Sequence, residues 1–224
     1  MKKKYILFDL DGTLTDPKEG ITKSVQYALR RYEIEVEDLD TLIPFIGPPL
    51  MDSYMRFYDF TPEQAREGVQ VYREYFREKG WKENKEIPGI RSMLAELKAA
   101  GKTLLVATSK PEPFAKRILD HFELSQFFDF IGGADMGETR VKKADVIRYV
   151  LENCGIGQDE ESLKHAVMVG DREHDVLGAR ECGLECIGVL FGYGSRQEME
   201  ACGAAYIAET VEELKELLLS EQRF

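Results

Sequence analysis

Long apolar runs, basic patches and paired-cysteine spacings are all missing from this sequence, and each absence closes off a class of function. Nowhere do apolar residues continue for the roughly 18 positions that a membrane span needs. The opening MKKKYILFDLDG has the charged start of a secretory leader, but the apolar run behind the lysines breaks at Asp9, well short of a leader's core. Basic residues are outnumbered, with 30 Lys and Arg against 41 Asp and Glu and a net charge of −11. The longest basic run, Lys2-Lys3-Lys4, is too short for the clustered face that nucleic acid requires. An anionic ligand must then be drawn in by local charge: a metal, a lysine or a helix N-terminus. Cys154, Cys182, Cys186 and Cys202 show neither zinc nor redox spacing, and Gly183 interrupts the closest pair. They read as reduced, mostly buried thiols. These absences describe a cytoplasmic protein with no membrane and no nucleic-acid partner, expected as a monomer or a weak dimer.

What is present is a globular composition: 224 residues, 43% hydrophobic and 32% charged, enough for one domain carrying a smaller inserted one. Short apolar runs recur at Tyr5-Ile6-Leu7-Phe8, Thr103-Leu104-Leu105-Val106-Ala107 and His165-Ala166-Val167-Met168-Val169, with weaker ones at Cys186-Ile187-Gly188-Val189-Leu190 and Ala205-Tyr206-Ile207. Runs of this kind suit a parallel sheet covered on both faces. Helical periodicity fills the gaps, as at Ile90, Met93, Leu94 and Leu97 before Gly101, and at Val146, Ile147, Val150 and Leu151. The alternation predicts an α/β fold, a Rossmann-like doubly wound parallel sheet. One stretch departs from it. Residues 16–86 carry helical patterns and no convincing strand, including a helix start at Thr61-Pro62-Glu63-Gln64 that runs to about Lys79. The expected organisation is therefore a core from residues 1–15 and 87–224 with an inserted helical cap domain at 16–86, hinged near residues 14–17 and 84–88.

Four motifs carry chemistry. Asp9-Leu10-Asp11-Gly12-Thr13 ends the first strand, where the ligand crevice of a doubly wound sheet lies. Two carboxylates two apart can divide the work of nucleophile and general acid/base, with a cation between them, and Gly12 permits a sharp turn. Gly170-Asp171-Arg172-Glu173-His174-Asp175 places two acids four apart after another strand. Magnesium takes oxygen ligands and keeps several waters, so Asp9, Asp171 and a backbone carbonyl would suffice, with Asp175 acting through a water. A helix cap is the simpler reading of Asp171. Thr108-Ser109-Lys110-Pro111 follows a strand, and its spacing predicts a helix with Pro111 at the first helical position. A hydroxyl and free amides there would cradle phosphate. Finally, Lys142 or Lys143 at a helix start supplies a positive charge; spacing does not choose between them. In residues 16–86, the rigid Gly47-Pro48-Pro49-Leu50 loop is a candidate for substrate choice, whereas Tyr54, Phe57 and Tyr58 read as packing of the helical insert.

In this order, spread over nearly the whole chain, the four motifs resemble the haloacid dehalogenase superfamily. The resemblance implies that Asp9 is a nucleophile and magnesium ligand, and that Asp11 is the general acid/base with its carbonyl on the metal. It implies that Thr108, Ser109 and Lys143 bind phosphate, favouring Lys143 over Lys142 because it immediately precedes Ala144-Asp145-Val146-Ile147. It makes Asp171 a direct metal ligand supported by Asp175. Ser109 stands where many relatives have Asn. The helical insert is similar to that family's C1 cap, and Gly47, Pro48 and Leu50 fall in its specificity loop. The chain looks like the phosphoglycolate-phosphatase and 5′-nucleotidase-like branch. A magnesium-dependent phosphatase acting on a small phosphate monoester through a phospho-aspartate is the expectation. A sugar phosphomutase would share these motifs. A phospho-acceptor signalling module is the alternative of another class, and the long helical insert speaks against it.

Overall fold

The computed structural model describes residues 3–137, 139–157 and 160–220. The described chain divides into two compact units: the stretch ending at Thr15 together with the stretch beginning at Glu86, and the segment Asp16–Lys85 between them. Each crossing falls in a two-residue strand, β2 (Thr15–Asp16) and β3 (Lys85–Glu86), at the borders of a region read as strand-free.

The first unit is built on β1 (Tyr5–Phe8), β4 (Thr103–Pro111), β5 (Phe130–Ala134), β6 (Ala166–Gly170), β7 (Glu185–Val189) and β8 (Tyr206–Ala208). They form one parallel sheet in the order β5-β4-β1-β6-β7-β8. The chain builds outward from β1 to β4 and β5, then returns to β1's other side for β6, β7 and β8. The order therefore reverses at β1, the position where ligand crevices open in such sheets. This is the Rossmann-like doubly wound architecture read from the sequence. One strand escaped that reading: β5, Phe130-Ile131-Gly132-Gly133-Ala134.

Helices α4 (Ile90–Ala99), α5 (Glu112–His121), α6 (Lys143–Asn153), α7 (Glu160–Lys164), α8 (Glu173–Glu181), α9 (Arg196–Cys202) and α10 (Val211–Leu219) complete this unit. Successive strand residues face opposite sides of the sheet. Leu7, Leu105, Met168 and Cys186 join Val146, Ile147, Val150, Val176, Ala179 and Met199 in one core layer. Their neighbours Ile6, Phe8, Leu104, Val106, Val167, Val169 and Ile187 are as deeply buried, so both faces are covered and the runs can be continuously apolar. All four cysteines are free; Cys186 and Cys202 are buried, Cys154 and Cys182 half-buried.

The second unit contains α1 (Lys18–Arg30), a 3₁₀ helix (Leu39–Phe45), α2 (Leu50–Tyr58), α3 (Pro62–Tyr75) and one π-helical turn (Phe76–Gly80). The helix expected to run to Lys79 thus ends as α-helix at Tyr75. Its start is as read: Thr61 Oγ1 accepts from Gln64 N at 3.3 Å, and Gln64 Oε1 accepts from Thr61 N at 2.9 Å. Tyr54, Phe57 and Tyr58 pack against Phe45 and Phe60 inside this unit.

Candidate active site

Register alone brings three loops together. Phe8 is level with Val106 on β4 and Val169 on β6. The residues just past these positions, Asp9, Ala107 with Thr108, and Gly170 with Asp171, therefore emerge side by side at the carboxyl edge of the sheet. Asp9 N donates to Val169 O at 2.9 Å, which extends the ladder by one residue. The chain then turns, with Leu10 O accepting from Leu14 N at 2.9 Å and Thr15 N at 3.0 Å. Gly12 makes the turn possible for two reasons. Its φ of +82° is left-handed, and a Cβ there would run into the Asp171 carboxylate.

Asp9, Asp171 and Asp175 each present a carboxylate oxygen, all within 4.8 Å of one another and all buried. Lys143, the first residue of α6, reaches into them. Its Nζ lies 2.8 Å from Asp9 Oδ1, 2.7 Å from Asp175 Oδ1 and 3.1 Å from the Ala107 carbonyl, to which it donates. Its neighbour Lys142 caps the helix and is exposed. Asp175 Oδ2 accepts from Arg172 N at 3.1 Å, and Asp171 Oδ2 accepts from Tyr193 N at 2.8 Å. Asp11 is not among the three clustered acids; its Oδ2 accepts from Lys110 Nζ at 2.6 Å, both side chains being buried.

Burial dominates the electrostatics. It raises Asp171 well above the usual carboxylate range, helped by the charges of Asp175 and Asp9 and opposed by the Tyr193 amide. Burial likewise lifts Asp175 to about 6, against the pull of Lys143. Asp11 is raised by burial, with Lys110 opposing. Burial alone would lower Lys143, but Asp175 and Asp9 more than offset it and hold the ammonium firmly charged. With all three clustered carboxylates ionised, Lys143 balances one of them and the charge left over equals that of one divalent cation. Buried Asp171 Oδ1 has no hydrogen-bond partner. An all-oxygen acidic set with an orphaned buried oxygen fits a hard cation such as magnesium.

Thr108 is buried within β4, where its Oγ1 accepts from Lys110 N at 3.2 Å. Here the structure corrects the sequence reading. The strand continues through Pro111, which serves as the N-cap of α5, and the helix begins at Glu112. Thr108 and half-buried Ser109 thus lie in extended chain ahead of the helix. Gly47, Pro48 and Leu50 belong to the second unit. Gly47 has a φ of +103°, and Leu50 opens α2. Two features were not read as site residues. One is Lys110. The other is Glu198, whose Oε1 accepts from Arg172 Nε at 3.0 Å and Glu173 N at 2.8 Å and so braces the turn between Asp171 and Asp175.

The sequence model described as "Haloacid dehalogenase-like hydrolase" matches residues 6–189. The chain is 45% identical over 215 residues to a 5′-nucleotidase of Pseudomonas aeruginosa, covering 96% of this chain and 95% of the relative. It is 38% identical over 217 residues to the tyrosine-protein kinase PtkA of Mycobacterium tuberculosis, covering 96% of this chain and 72% of the relative. The crystal structure of a predicted phosphatase from Clostridium acetobutylicum superposes with a TM-score of 0.94 at 47% identity, over 98% of this chain and 99% of that one. The motif order, the doubly wound sheet and these matches agree: the chain belongs to the haloacid dehalogenase-like hydrolase family.

Proposed function

We propose that this protein is a magnesium-dependent phosphatase that hydrolyses a small phosphate monoester, of the nucleoside 5′-monophosphate or phosphoglycolate kind, through a phospho-aspartate on Asp9. The observation that carries the reading is the division of labour between two acids two residues apart. Asp9 sits with Lys143 among the clustered carboxylates, while Asp11 is held apart by Lys110. The similarity to a protein named as a 5′-nucleotidase supports the substrate class.

Asp9 and Asp171 would hold the ion, with Asp175 behind them. When bound, magnesium supplies positive charge that lets a phosphate dianion approach these acids. An Asp9 carboxylate oxygen attacks phosphorus, and the ester P–O bond breaks. Asp11 gives its proton to the departing oxygen, which leaves as the alcohol. Water then attacks the phosphorus of phospho-Asp9, Asp11 takes a proton from it, and the P–O bond to Asp9 breaks to release inorganic phosphate. Lys143 balances charge on the phosphoryl oxygens in both steps, and Thr108 and Ser109 hold those oxygens. The helical insert at 16–86 is assigned the choice of ester, with Gly47, Pro48 and Leu50 in its specificity loop.

Phosphate release from nucleoside 5′-monophosphates, phosphoglycolate and sugar phosphates, followed with rapid-quench trapping of labelled protein, tests this reading. Asp9→Asn is expected to lose turnover by about 10⁴-fold or more and to trap no label. Label retained in Asp9→Asn overturns the nucleophile assignment. Phosphate recovered on a second sugar position, or on a protein tyrosine, in place of free phosphate points to a transferase.

A further inference from the structure

Lys110 is a buried cation beside the site acids to which the proposed reaction gives no step. It comes from an irregular piece of β4. Thr108 is level with Gly133 on β5 and Pro111 with Ala134, so Ser109 and Lys110 are two extra residues bulged out of the ladder. Bulges re-aim side chains, and they recur beside active sites. This one is anchored by the bond from Lys110 N to Thr108 Oγ1. It delivers the ammonium to a carboxylate 99 residues away in sequence, with Nζ 2.6 Å from Asp11 Oδ2.

The two Asp11 oxygens differ in what they meet. Oδ2 takes the lysine; Oδ1 is buried without a hydrogen-bond partner. A buried acceptor left without a donor costs stability, so the open Oδ1 is not explained by stability alone. A carboxyl group that must carry a proton to and fro needs this arrangement: one oxygen fixed and the other open. Resting on the phosphatase reading above, we infer that Lys110 is a positioning residue for proton transfer. It pins Oδ2, stops the carboxyl from rotating, and leaves Oδ1 as the oxygen that gives its proton to the leaving group and then takes one from the attacking water. Lys110 itself exchanges no proton and touches no reacting atom.

Leaving-group dependence tests this, because an alkoxide needs a proton to depart and a nitrophenolate hardly does. Parent, Lys110→Met, Lys110→Arg and Asp11→Asn are compared on an alkyl phosphate and on 4-nitrophenyl phosphate, with phospho-enzyme trapped by rapid quench. Lys110→Met is expected to lose about a hundredfold on the alkyl ester, less than about tenfold in phospho-enzyme formation from the nitrophenyl ester, and to accumulate phospho-Asp9. Lys110→Arg is expected to recover most of the loss, since it restores a charged donor. Equal losses on both esters, or Arg performing no better than Met, overturn the positioning role. Should Lys110→Met not fold, Lys110→Gln removes the charge and shortens the reach: a leaving-group ratio between those of the parent and Asp11→Asn supports the role, and the parental ratio overturns it. Asp11→Asn separates the two failures. If it discriminates between the esters and the Lys110 variants do not, only the role of Lys110 falls; if Asp11→Asn shows no discrimination, the phosphatase mechanism falls with it.

Discussion

The two units bury polar groups in opposite ways. Among the described residues, every buried charged side chain lies in the first unit: Lys3, Asp9, Asp11, Lys102, Lys110, Lys143, Asp171 and Asp175. The second unit buries hydroxyls, and three of them bond locally. Thr22 donates to Lys18 O, Ser24 to Gly20 O and Ser53 to Pro49 O, each one turn back. Its charges pair at lower burial, as where Lys23 meets Glu19 and Glu83. The site acids in the first unit depend on partners from distant chain: Asp9 on Lys143, Asp11 on Lys110. Buried ion pairs are weak devices for stability, because desolvation cancels much of their attraction. Six of these eight charged side chains lie at the carboxyl edge of the sheet, and Lys3 and Lys102 lie at its amino end, where Lys102 Nζ donates to Lys3 O. Changes at the carboxyl edge are expected to fall on turnover, and changes in the second unit's packing on stability.

The largest effect expected from a single lysine is at Lys143. Lys143→Ala removes the charge between Asp9 and Asp175, and turnover is expected to fall by about a hundredfold or more, the scale of one lost transition-state contact. It also strands two buried carboxylates, so thermal unfolding is expected to drop by about 3 kcal/mol at neutral pH. Lys142→Ala, one residue earlier on exposed surface, is expected to change neither. Steady-state rates and melting curves of both variants check this, and a reversed pair of results breaks the comparison at its centre.

A smaller effect is expected from metal and pH together. The folded pKa of Asp175 is raised to about 6, above its unfolded value, and Asp171 is raised too. The folded state therefore holds these protons more tightly. Below the unfolded pKa of about 4 both states are protonated and the groups cost nothing. As pH rises from about 4 through the folded pKa, the metal-free protein loses stability from this source. Magnesium held by these acids, as proposed, would take the place of those protons. Its stabilisation, on the order of 2–3 kcal/mol at a hundredfold excess over its dissociation constant, is expected in full at pH 7.5 and reduced at pH 5. Melting temperatures with magnesium and with EDTA at the two pH values measure it. A shift that is equal at both, or larger at pH 5, contradicts the assignment of the ion to these acids.

How far the sequence could be read also differs between the units. Apolar runs ending in acid marked β1 and β6, and a Thr-Pro-Glu-Gln start marked α3, because each signal is local. β5 was hidden because Gly132-Gly133 reads as a turn. A Cβ on Gly133 would come within 2.6 Å of Lys110 O and against the backbone of Glu112, so close approach of the next element demands glycine inside that strand. Pro111 reads as the first residue of a helix by propensity, yet bulged pairing with β5 carries the strand through it. The acids and Lys143 were legible as motif members; the Lys110–Asp11 pair was not, because it depends on a bulge whose register exists only once β5 is in place. Nor could spacing reveal Glu198, which is 26 residues beyond Arg172.

The smallest effect expected lies in the second unit and has the opposite sign to ordinary core damage. Tyr54 is fully buried on α2, its ring stacked on Phe60 at 5.5 Å between centroids and edge-on to Phe45 at 5.1 Å. Its hydroxyl is buried without a hydrogen-bond partner. Burial pushes that phenol far above its ordinary pKa, so it is neutral throughout the working range and carries no charge to any ligand. An unpaired buried hydroxyl costs its desolvation, roughly 1–3 kcal/mol by mutational measures. Tyr54→Phe keeps both ring contacts and removes only the oxygen, leaving a gap smaller than a methyl group that offsets part of the gain. The expected net is stabilisation by about 1 kcal/mol or less, seen as a melting temperature a few degrees higher, with kcat and KM unchanged. A loss of stability would show that this hydroxyl is satisfied, by an ordered water or by a rearranged neighbour. Buried polar groups of the second unit would then be tied together as tightly as those of the first, and the contrast between the units would weaken. A change in KM for a nucleotide with stability unchanged would instead move Tyr54 from the packing of the unit to a part in substrate choice.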